Sequence, residues 1–200
     1  QEEAEFAYLM ARAKECIRGD VRDRLETTYA MEGIYNKNWG QGEDLSDLLK
    51  EITDRYESVI DDEPNCAEAY GALGRLFEAQ ALYIKAKFYD EKALALAEDD
   101  LLKEQMRMAL ERVEEPAAID GAKTYLHYGK YEDAIAAIQS LDSKYTEPAL
   151  CAHILGMAYY GLRDMDKAIA FLEDAASHGD DGEIENDLAI ALAAAEREGE

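Results

Sequence analysis

The segment Tyr128-Gly-Lys-Tyr-Glu-Asp-Ala-Ile135 recurs later in the chain as Leu162-Arg-Asp-Met-Asp-Lys-Ala-Ile169. The alanines that occupy the same place in the two segments, Ala134 and Ala168, are 34 residues apart. A constant period of this size is typical of a helix–turn–helix unit that is repeated along the chain and stacked on its neighbours. The sequence therefore predicts two stacked helical hairpins within residues 118–175.

Helical spacing of apolar residues continues on both sides of these hairpins and predicts about 11 helices and no strand. Asp20 is expected to cap the second helix and Pro116 to start the seventh. The turn near residue 80 contains no Gly or Pro and is predicted from the repeat alone. The predicted helices span residues 2–16, 20–36, 45–60, 67–79, 82–97, 99–113, 116–128, 131–141, 148–160, 165–176 and 184–196.

The segment Asn36–Gly42 contains two glycines, two asparagines and the only tryptophan, which indicates a loop. Trp39 has two interpretations. An exposed tryptophan on a loop is a candidate partner anchor, because tryptophan is enriched at interface hot spots. A ring that folds back over the core is the alternative, and the sequence favours it.

The composition is that of a folded and strongly acidic protein, with 48% apolar residues, 33% charged residues and a formal net charge of -24. Nucleic acid is excluded as an expected ligand, since phosphate binding depends on Lys and Arg. Anionic membrane surfaces are disfavoured for the same reason. The acidic surface either attracts a basic partner or only keeps the protein in solution. Acids dispersed along the helices favour the second alternative.

The three cysteines, Cys16, Cys66 and Cys151, lie far apart in segments rich in Ala and Leu. This pattern indicates small buried residues in a reducing compartment rather than disulfides or metal ligands. No apolar run approaches the roughly 18 residues needed to cross a bilayer. We therefore expect a cytoplasmic protein with no direct membrane insertion. Because the chain starts at Gln1 rather than Met, a fragment without its targeting signal or neighbouring domain is an alternative.

The hairpins resemble those of the tetratricopeptide repeat (TPR) family, which carry a large residue, Leu-Gly and an aromatic on the first helix and two spaced alanines on the second. One hairpin matches at Tyr70, Leu73, Gly74, Phe77, Ala86 and Ala93. Another matches at Leu155, Gly156, Tyr159, Ala168 and Ala175. A third has Ala122, Tyr125, Ala134 and Leu141, and a weaker N-terminal match has Tyr29, Gly33, Tyr56, Val59 and Pro64.

The resemblance implies an all-α fold, a right-handed superhelical α-solenoid of antiparallel helix hairpins. Ala86 and Ala134 are 48 residues apart, one period of 34 plus 14, which predicts one inserted helix. The expected organisation is a single TPR-like solenoid over residues 1–200. It comprises irregular helices and the Trp loop at 1–63, a repeat at 64–98, an inserted helix at 99–114, repeats at 115–182 and a capping helix at 183–200.

The sequence contains no Gly-rich phosphate loop, His-Glu-X-X-His, Cys-X-X-Cys or Gly-X-Ser-X-Gly motif, and its three histidines are spread over three helices. Such motifs supply the convergent groups that catalysis needs. We therefore predict no catalytic residue, no metal site and no cofactor, and we expect that the protein is not an enzyme.

In the TPR family the concave surface, formed mainly by the first helix of each hairpin, holds an extended peptide or a partner helix. The resemblance implies partner contacts at Arg75, Glu78, Lys123, His127, His153, Met157 and Tyr160, with Trp39 as a separate candidate. For each residue the alternative is a solvated surface without a ligand. The Lys and Asn clamp that some members use for acidic tails is absent. The acidic chain instead predicts a basic or amphipathic segment.

Three functions follow from this. The first is an interaction scaffold or adaptor, the second a chaperone-like or secretion-type helper for a client protein, and the third a regulatory TPR region of a larger multidomain protein. Weak homo-oligomer formation is a further expectation if the Ala-rich last helix is not a polar cap, because its exposed side would then be open to a second copy.

Overall fold

The computed structural model describes residues 20–42, 44–141, 145–179 and 181–198. These residues form nine α-helices and no strand, which confirms the predicted all-α class. The helices are α1 Val21–Asn38, α2 Ser46–Asp62, α3 Ala67–Ala79, α4 Tyr83–Leu96, α5 Asp100–His127, α6 Tyr131–Gln139, α7 Pro148–Gly161, α8 Met165–Ser177 and α9 Gly182–Glu198. The chain divides into two compact units, Gln1–Leu110 and Glu111–Glu200.

Two observations account for the difference between 11 predicted helices and nine described ones. The predicted helix at 2–16 lies outside the described residues. The prediction that Pro116 starts a helix is wrong, because Pro116 lies inside the continuous helix α5. A proline within a helix removes one backbone hydrogen bond. The helix persists here because buried apolar residues, among them Val113 and Ala117, lie on both sides of the proline.

The first hairpin, α1–α2, adds buried polar contacts to a core of large apolar side chains and lacks the buried alanines of the other hairpins. Arg24 is buried on α1, and its guanidinium lies 2.6 Å from Asp62 Oδ2 and donates to Ser58 Oγ at 2.7 Å. Thr28, also buried, donates to its own helix at Arg24 O. Charged groups are seldom buried without such partners. This explains why the small-residue signature of the repeat fades at this end of the chain.

The other two-helix hairpins pack through glycine and alanine. In α3–α4, Gly74 faces the side chain of Asp90, while Ala86 and Ala93 are fully buried. In α7–α8, Gly156 faces Leu172, and two alanines at equivalent positions, Ala168 and Ala175, are again fully buried. Small residues allow helix axes to approach closely.

The hairpin turns share one backbone geometry. Ala81, Gly129 and Arg163 all adopt left-handed conformations, with φ of 56°, 69° and 61°. After each, a backbone N–H donates back to an aromatic residue five positions earlier, as in Leu82 N to Phe77 O at 2.9 Å. This pattern closes a helix C-terminus. The turn near residue 80, which lacks Gly and Pro, is thereby confirmed.

Cys151 and Cys66 have different environments. Cys151 is fully buried in α7, and burial together with nearby Glu115 and Glu147 raises the pKa of its thiol to about 11. Cys66 precedes α3 and is half-buried, and desolvation raises the pKa of its thiol. Both thiols are free. The third cysteine, Cys16, lies outside the described residues.

Candidate partner-binding grooves

The C-terminal unit contains a groove of about 920 Å³ between the second half of α5, α7 and α9. We refer to it as the C-terminal groove. Helix α7 contributes more of the lining residues than any other helix. The lining residues are Lys123, Leu126, Tyr131, Leu150, His153, Ile154, Met157, Tyr160, Gly161, Arg163, Met165, Glu183, Asp187 and Ala194.

Four of the predicted partner contacts line this groove. His153, Met157 and Tyr160 occupy positions i, i+4 and i+7 of α7, so they share one face of the helix. Lys123 lies on α5 at the opposite wall and is exposed. The sequence thus identified a set of residues that the fold brings to one surface.

His153 is already engaged within the groove. Its Nε2 lies 2.8 Å from Oδ2 of Asp187 on α9, and both side chains are less than one-fifth exposed. The contact fixes the imidazole ring against the wall of the groove. Asp187 was not predicted as a site residue, yet it follows His153 by 34 residues, so the repeat period was the signal that could have found it.

The charges of the C-terminal groove are balanced. Its lining contains two cations, Lys123 and Arg163, and two carboxylates, Glu183 and Asp187. Between them lie apolar side chains from α5 and α7, including the half-buried Met157. An apolar floor with a few charged groups at its edge is typical of a surface that orients a bound chain.

The N-terminal unit contains a second groove, of about 1040 Å³, which we call the N-terminal groove. Helices α1 and α3 form its walls, with contributions from α2, the turn before α3 and the first turns of α5. Its lining residues are Asp20, Val21, Arg22, Leu25, Glu26, Tyr29, Ala30, Tyr56, Glu63, Asn65, Cys66, Glu68, Ala72, Arg75, Leu102 and Gln105.

Arg75 lies at the centre of a polar network in the N-terminal groove. Its guanidinium lies 3.4 Å from Oε2 of Glu32 and 5.1 Å from the centre of the Tyr29 ring. The same oxygen of Glu32 accepts a hydrogen bond from the buried Tyr56 hydroxyl at 3.0 Å. Burial, followed by the charge of Glu32, raises the pKa of Tyr56 above its ordinary value. Arg75 therefore makes contacts within the fold itself. Its partner Glu32 was not predicted as a site residue.

The rim of the N-terminal groove is acidic. Four carboxylates, those of Asp20, Glu26, Glu63 and Glu68, line it against two guanidinium groups. One of these, Arg22, pairs with Glu26 at 3.4 Å, and Arg75 pairs with Glu32. The remaining carboxylates face solvent, so this groove carries a negative field over an apolar and aromatic floor.

The other predicted residues do not line either groove. Glu78 is half-buried on α3. His127 is the last residue of α5. The centre of its ring lies 5.1 Å from the centre of the Tyr128 ring, and the two rings are nearly perpendicular. Trp39 follows α1 and is 63% exposed, with its ring 5.4 Å from that of the buried Tyr35. The Trp39 ring thus contacts a core residue while most of its surface is exposed, and both interpretations of this residue stay predictions.

The described residues contain no group of three or more His, Cys, Asp or Glu that could hold a metal ion. In the same part of the chain, every helix is too short or too polar to cross a bilayer.

Comparison with known proteins gives fold likenesses only. No protein-family model and no curated protein matches the chain. The structure "MamA 41-end from Desulfovibrio magneticus RS-1" is 16% identical, with 84% of this chain and 85% of that chain covered and a TM-score of 0.46. "YrrB: a TPR protein with an unusual peptide-binding site" is 16% identical, with 93% and 98% covered and a TM-score of 0.42.

At these identities no site or partner can be transferred from those proteins. The hairpins of this chain carry the fold assignment by themselves, through Gly74 and Gly156, the buried alanines and the left-handed residues in the turns. The described residues form a TPR-like helical-repeat fold.

Proposed function

We propose that this protein is a non-catalytic interaction scaffold that holds an extended peptide or a partner helix in its C-terminal groove. The observation that supports this most directly is the shared face of His153, Met157 and Tyr160 on α7, opposite Lys123 on α5. Residues from α5, α7 and α9 line one groove, so a bound chain can contact several repeats at once.

The edges of the groove supply orientation. Lys123 and Glu183 stand on different helices, so a bound segment with one acidic and one basic residue meets complementary charges in one direction only. The His153–Asp187 contact holds α7 against α9 before any partner arrives. A groove that is already formed loses less conformational entropy on binding.

The N-terminal groove supports the preference for basic segments. Its exposed carboxylates attract Lys and Arg side chains, and Tyr29 offers an aromatic face to a cation or an apolar side chain. We infer that a basic amphipathic segment binds here, with its apolar face on Leu25 and Leu102.

Peptide selection tests the C-terminal groove. A random 16-residue peptide library displayed on phage is selected on the purified protein, and the affinity of the best peptide is measured by fluorescence anisotropy. We expect Met157→Ala and Tyr160→Ala each to weaken binding about tenfold, as for central interface residues. Met108→Ala and Tyr128→Ala are the matched controls, since both residues are exposed outside the groove. Equal affinities for all four variants would contradict the proposal.

Charge removal tests the N-terminal groove. A lysine- and leucine-containing amphipathic peptide is titrated against the double variant Glu63→Gln with Glu68→Gln, and against the control Glu173→Gln with Glu196→Gln. Both variants change the net charge equally, but only the first alters the groove. We expect weaker binding for the first alone, and weaker binding of the unaltered protein as salt is raised. Binding that strengthens with salt would contradict the electrostatic preference.

A further inference from the structure

Helix α4 exposes large apolar side chains on its outer face. Ile84 and Phe88 are each 52% exposed and stand four residues apart, so they lie one turn above the other. Ala95 continues the same face seven residues after Phe88 and is also exposed. These three side chains form an apolar stripe along the helix, which the exposed Glu91 interrupts between Phe88 and Ala95.

The hairpin core does not need this stripe. The opposite face of α4 packs on α3 through Ala86, Asp90 and Ala93, all fully buried. Asp90 fills the space beside Gly74, where the helices approach most closely. The exposed stripe therefore remains available after the hairpin has formed.

The stripe is bordered by positive charge. Lys85 and Lys92 flank it on one side and Lys87 on the other, whereas Glu91 is the only exposed carboxylate of α4. In the part of the chain that the structure describes, none of these lysines forms an ion pair with a carboxylate. Lys92 instead lies 5.9 Å from the centre of the Phe88 ring. A basic surface is unusual on a chain with 45 acids and 21 bases.

We propose that the outer face of α4 is a docking surface for an acidic amphipathic helix of a partner protein. Two apolar side chains one turn apart match the ridges of a second helix that carries apolar residues at i, i+3 and i+4. The three lysines complement carboxylates beside that apolar strip. A basic helix would meet like charges on both sides of Phe88.

The net charge of the whole chain does not prevent this contact. At about 0.15 M salt the screening length is about 8 Å, so the lysines beside the stripe control the local interaction rather than carboxylates elsewhere. No residue of α4 lines either groove. The proposal is thus independent of the function proposed for the grooves, and failure of one leaves the other intact.

The test uses two fluorescein-labelled helical peptides with the same leucine pattern, one with glutamates and one with lysines at the remaining positions. Binding to the full chain is followed by anisotropy at about 0.15 M salt. We expect the glutamate peptide to bind and the lysine peptide to bind at least tenfold more weakly. Phe88→Ser and Lys92→Glu should each weaken binding of the glutamate peptide about tenfold. Leu192→Ser, a change at an exposed apolar position on α9, should leave the binding unchanged.

Circular dichroism of each variant shows whether the helices are retained, and Lys92→Glu keeps the test valid if Phe88→Ser unfolds. Equal binding of both peptides, or an unchanged affinity in Lys92→Glu, would overturn the proposal. Light scattering supplies one more outcome. If the protein self-associates and Phe88→Ser abolishes this, the stripe belongs to a second copy of the chain and the proposed partner is wrong.

Discussion

The hairpins α3–α4 and α7–α8 have equivalent glycines and alanines between their helices but differ in the side chains that they bury there. Equivalent positions are 82 residues apart, so Gly74 corresponds to Gly156 and Asp90 to Leu172. Both glycines face the second helix of their own hairpin, and both facing side chains are fully buried. One of these side chains is a carboxylate and the other is aliphatic. The close helix approach is therefore set by the glycine, while the residue opposite can differ in chemistry.

An aromatic pair follows the same rule. Phe77 stacks on Tyr89 at 5.3 Å in the first hairpin, and Tyr159 stacks on Phe171 at 5.5 Å in the second. The hydroxyl has moved from one ring of the pair to the other. These two hairpins thus share the stacked pair but not the position of its polar group.

The largest effect on stability is expected when α7–α8 receives the residue type that α3–α4 buries at the equivalent position. Leu172→Asp removes a fully buried leucine and places a carboxylate beside Gly156, where no water reaches it. We expect the free energy of unfolding to fall by roughly 4 kcal/mol. Urea denaturation followed by circular dichroism measures it. Leu192→Asp, the same change at a 44% exposed position, should alter stability by less than about 1 kcal/mol. Similar losses in the two variants would mean that α7–α8 accepts a carboxylate as α3–α4 does.

A smaller effect is expected from closing the space at the glycines. In Gly156→Ala the new Cβ would lie 2.7 Å from Leu172 Cγ and 3.2 Å from its backbone nitrogen, and the backbone cannot move aside. We expect a loss of about 2 to 3 kcal/mol. In Gly74→Ala the three nearest atoms all belong to the Asp90 side chain. We expect a loss of about 1 to 2 kcal/mol there.

A double-mutant cycle distinguishes the two glycines. Adding Asp90→Ala to Gly74→Ala removes the obstructing atoms, so the second change should recover much of the loss. Adding Leu172→Ala to Gly156→Ala leaves the backbone nitrogen in place, so less is recovered. Equal coupling energies in the two cycles would show that backbone contacts do not distinguish the hairpins.

The sequence predicted the repeated helices better than the contacts of individual side chains. Ala134 and Ala168 revealed the repeat because a buried alanine at a helix crossing has few replacements of equal size. The prediction at Pro116 failed because local propensity favours a helix start at a proline, whereas burial on both sides keeps α5 continuous. The exposure of Trp39 was not predictable, because it depends on the direction of the chain after α1, which a loop sequence does not determine.

The candidate site was predictable only where it follows the repeat. His153, Met157 and Tyr160 share a face because helical spacing alone places them there. Arg75 was identified for its position, but its contacts with Glu32 and Tyr29 depend on how α1 packs against α3. Such contacts between irregular helices have no period, so the sequence could not reveal them.

A third, moderate effect on stability is expected from the hydrogen bonds that precede the first helix of a hairpin. Before α7, the Glu115 carboxylate on α5 accepts hydrogen bonds from Thr146 N and Glu147 N at 2.8 and 3.1 Å. Before α3, a local bond from Cys66 N to Glu63 O at 3.0 Å closes the turn instead. We expect Glu115→Ala to lower the free energy of unfolding by about 1 kcal/mol at neutral pH. The exposed neighbour Glu114→Ala is the control.

The Glu115 contribution should depend on pH. Burial opposes ionisation of Glu115, but hydrogen bonds from Thr146 and Glu147 outweigh it, and the pKa lies below its ordinary value of 4.5. A lowered pKa in the folded state stabilises the protein above that ordinary value, and the stabilisation is lost as the pH falls through the folded-state pKa. The stability difference between the unaltered protein and Glu115→Ala should therefore shrink below pH 4.5. A difference that stays constant in acid would exclude the ionised carboxylate as its cause.

The smallest effects are expected at the turns, where the hairpins use different residues for one conformation. An L-residue with positive φ is strained, and glycine is not. Gly129→Ala should lower the free energy of unfolding by about 1 kcal/mol, although its new Cβ would have space, with the nearest atom 3.9 Å away. Ala81→Gly should raise the free energy of unfolding by about 0.5 kcal/mol, because relief of strain exceeds the added freedom of the unfolded chain. Gly121→Ala, inside α5 with nothing near its new Cβ, is the control of opposite sign and should stabilise by about 1 kcal/mol. If Gly121→Ala and Gly129→Ala changed stability alike, the left-handed turn would not be the feature that unites these hairpins.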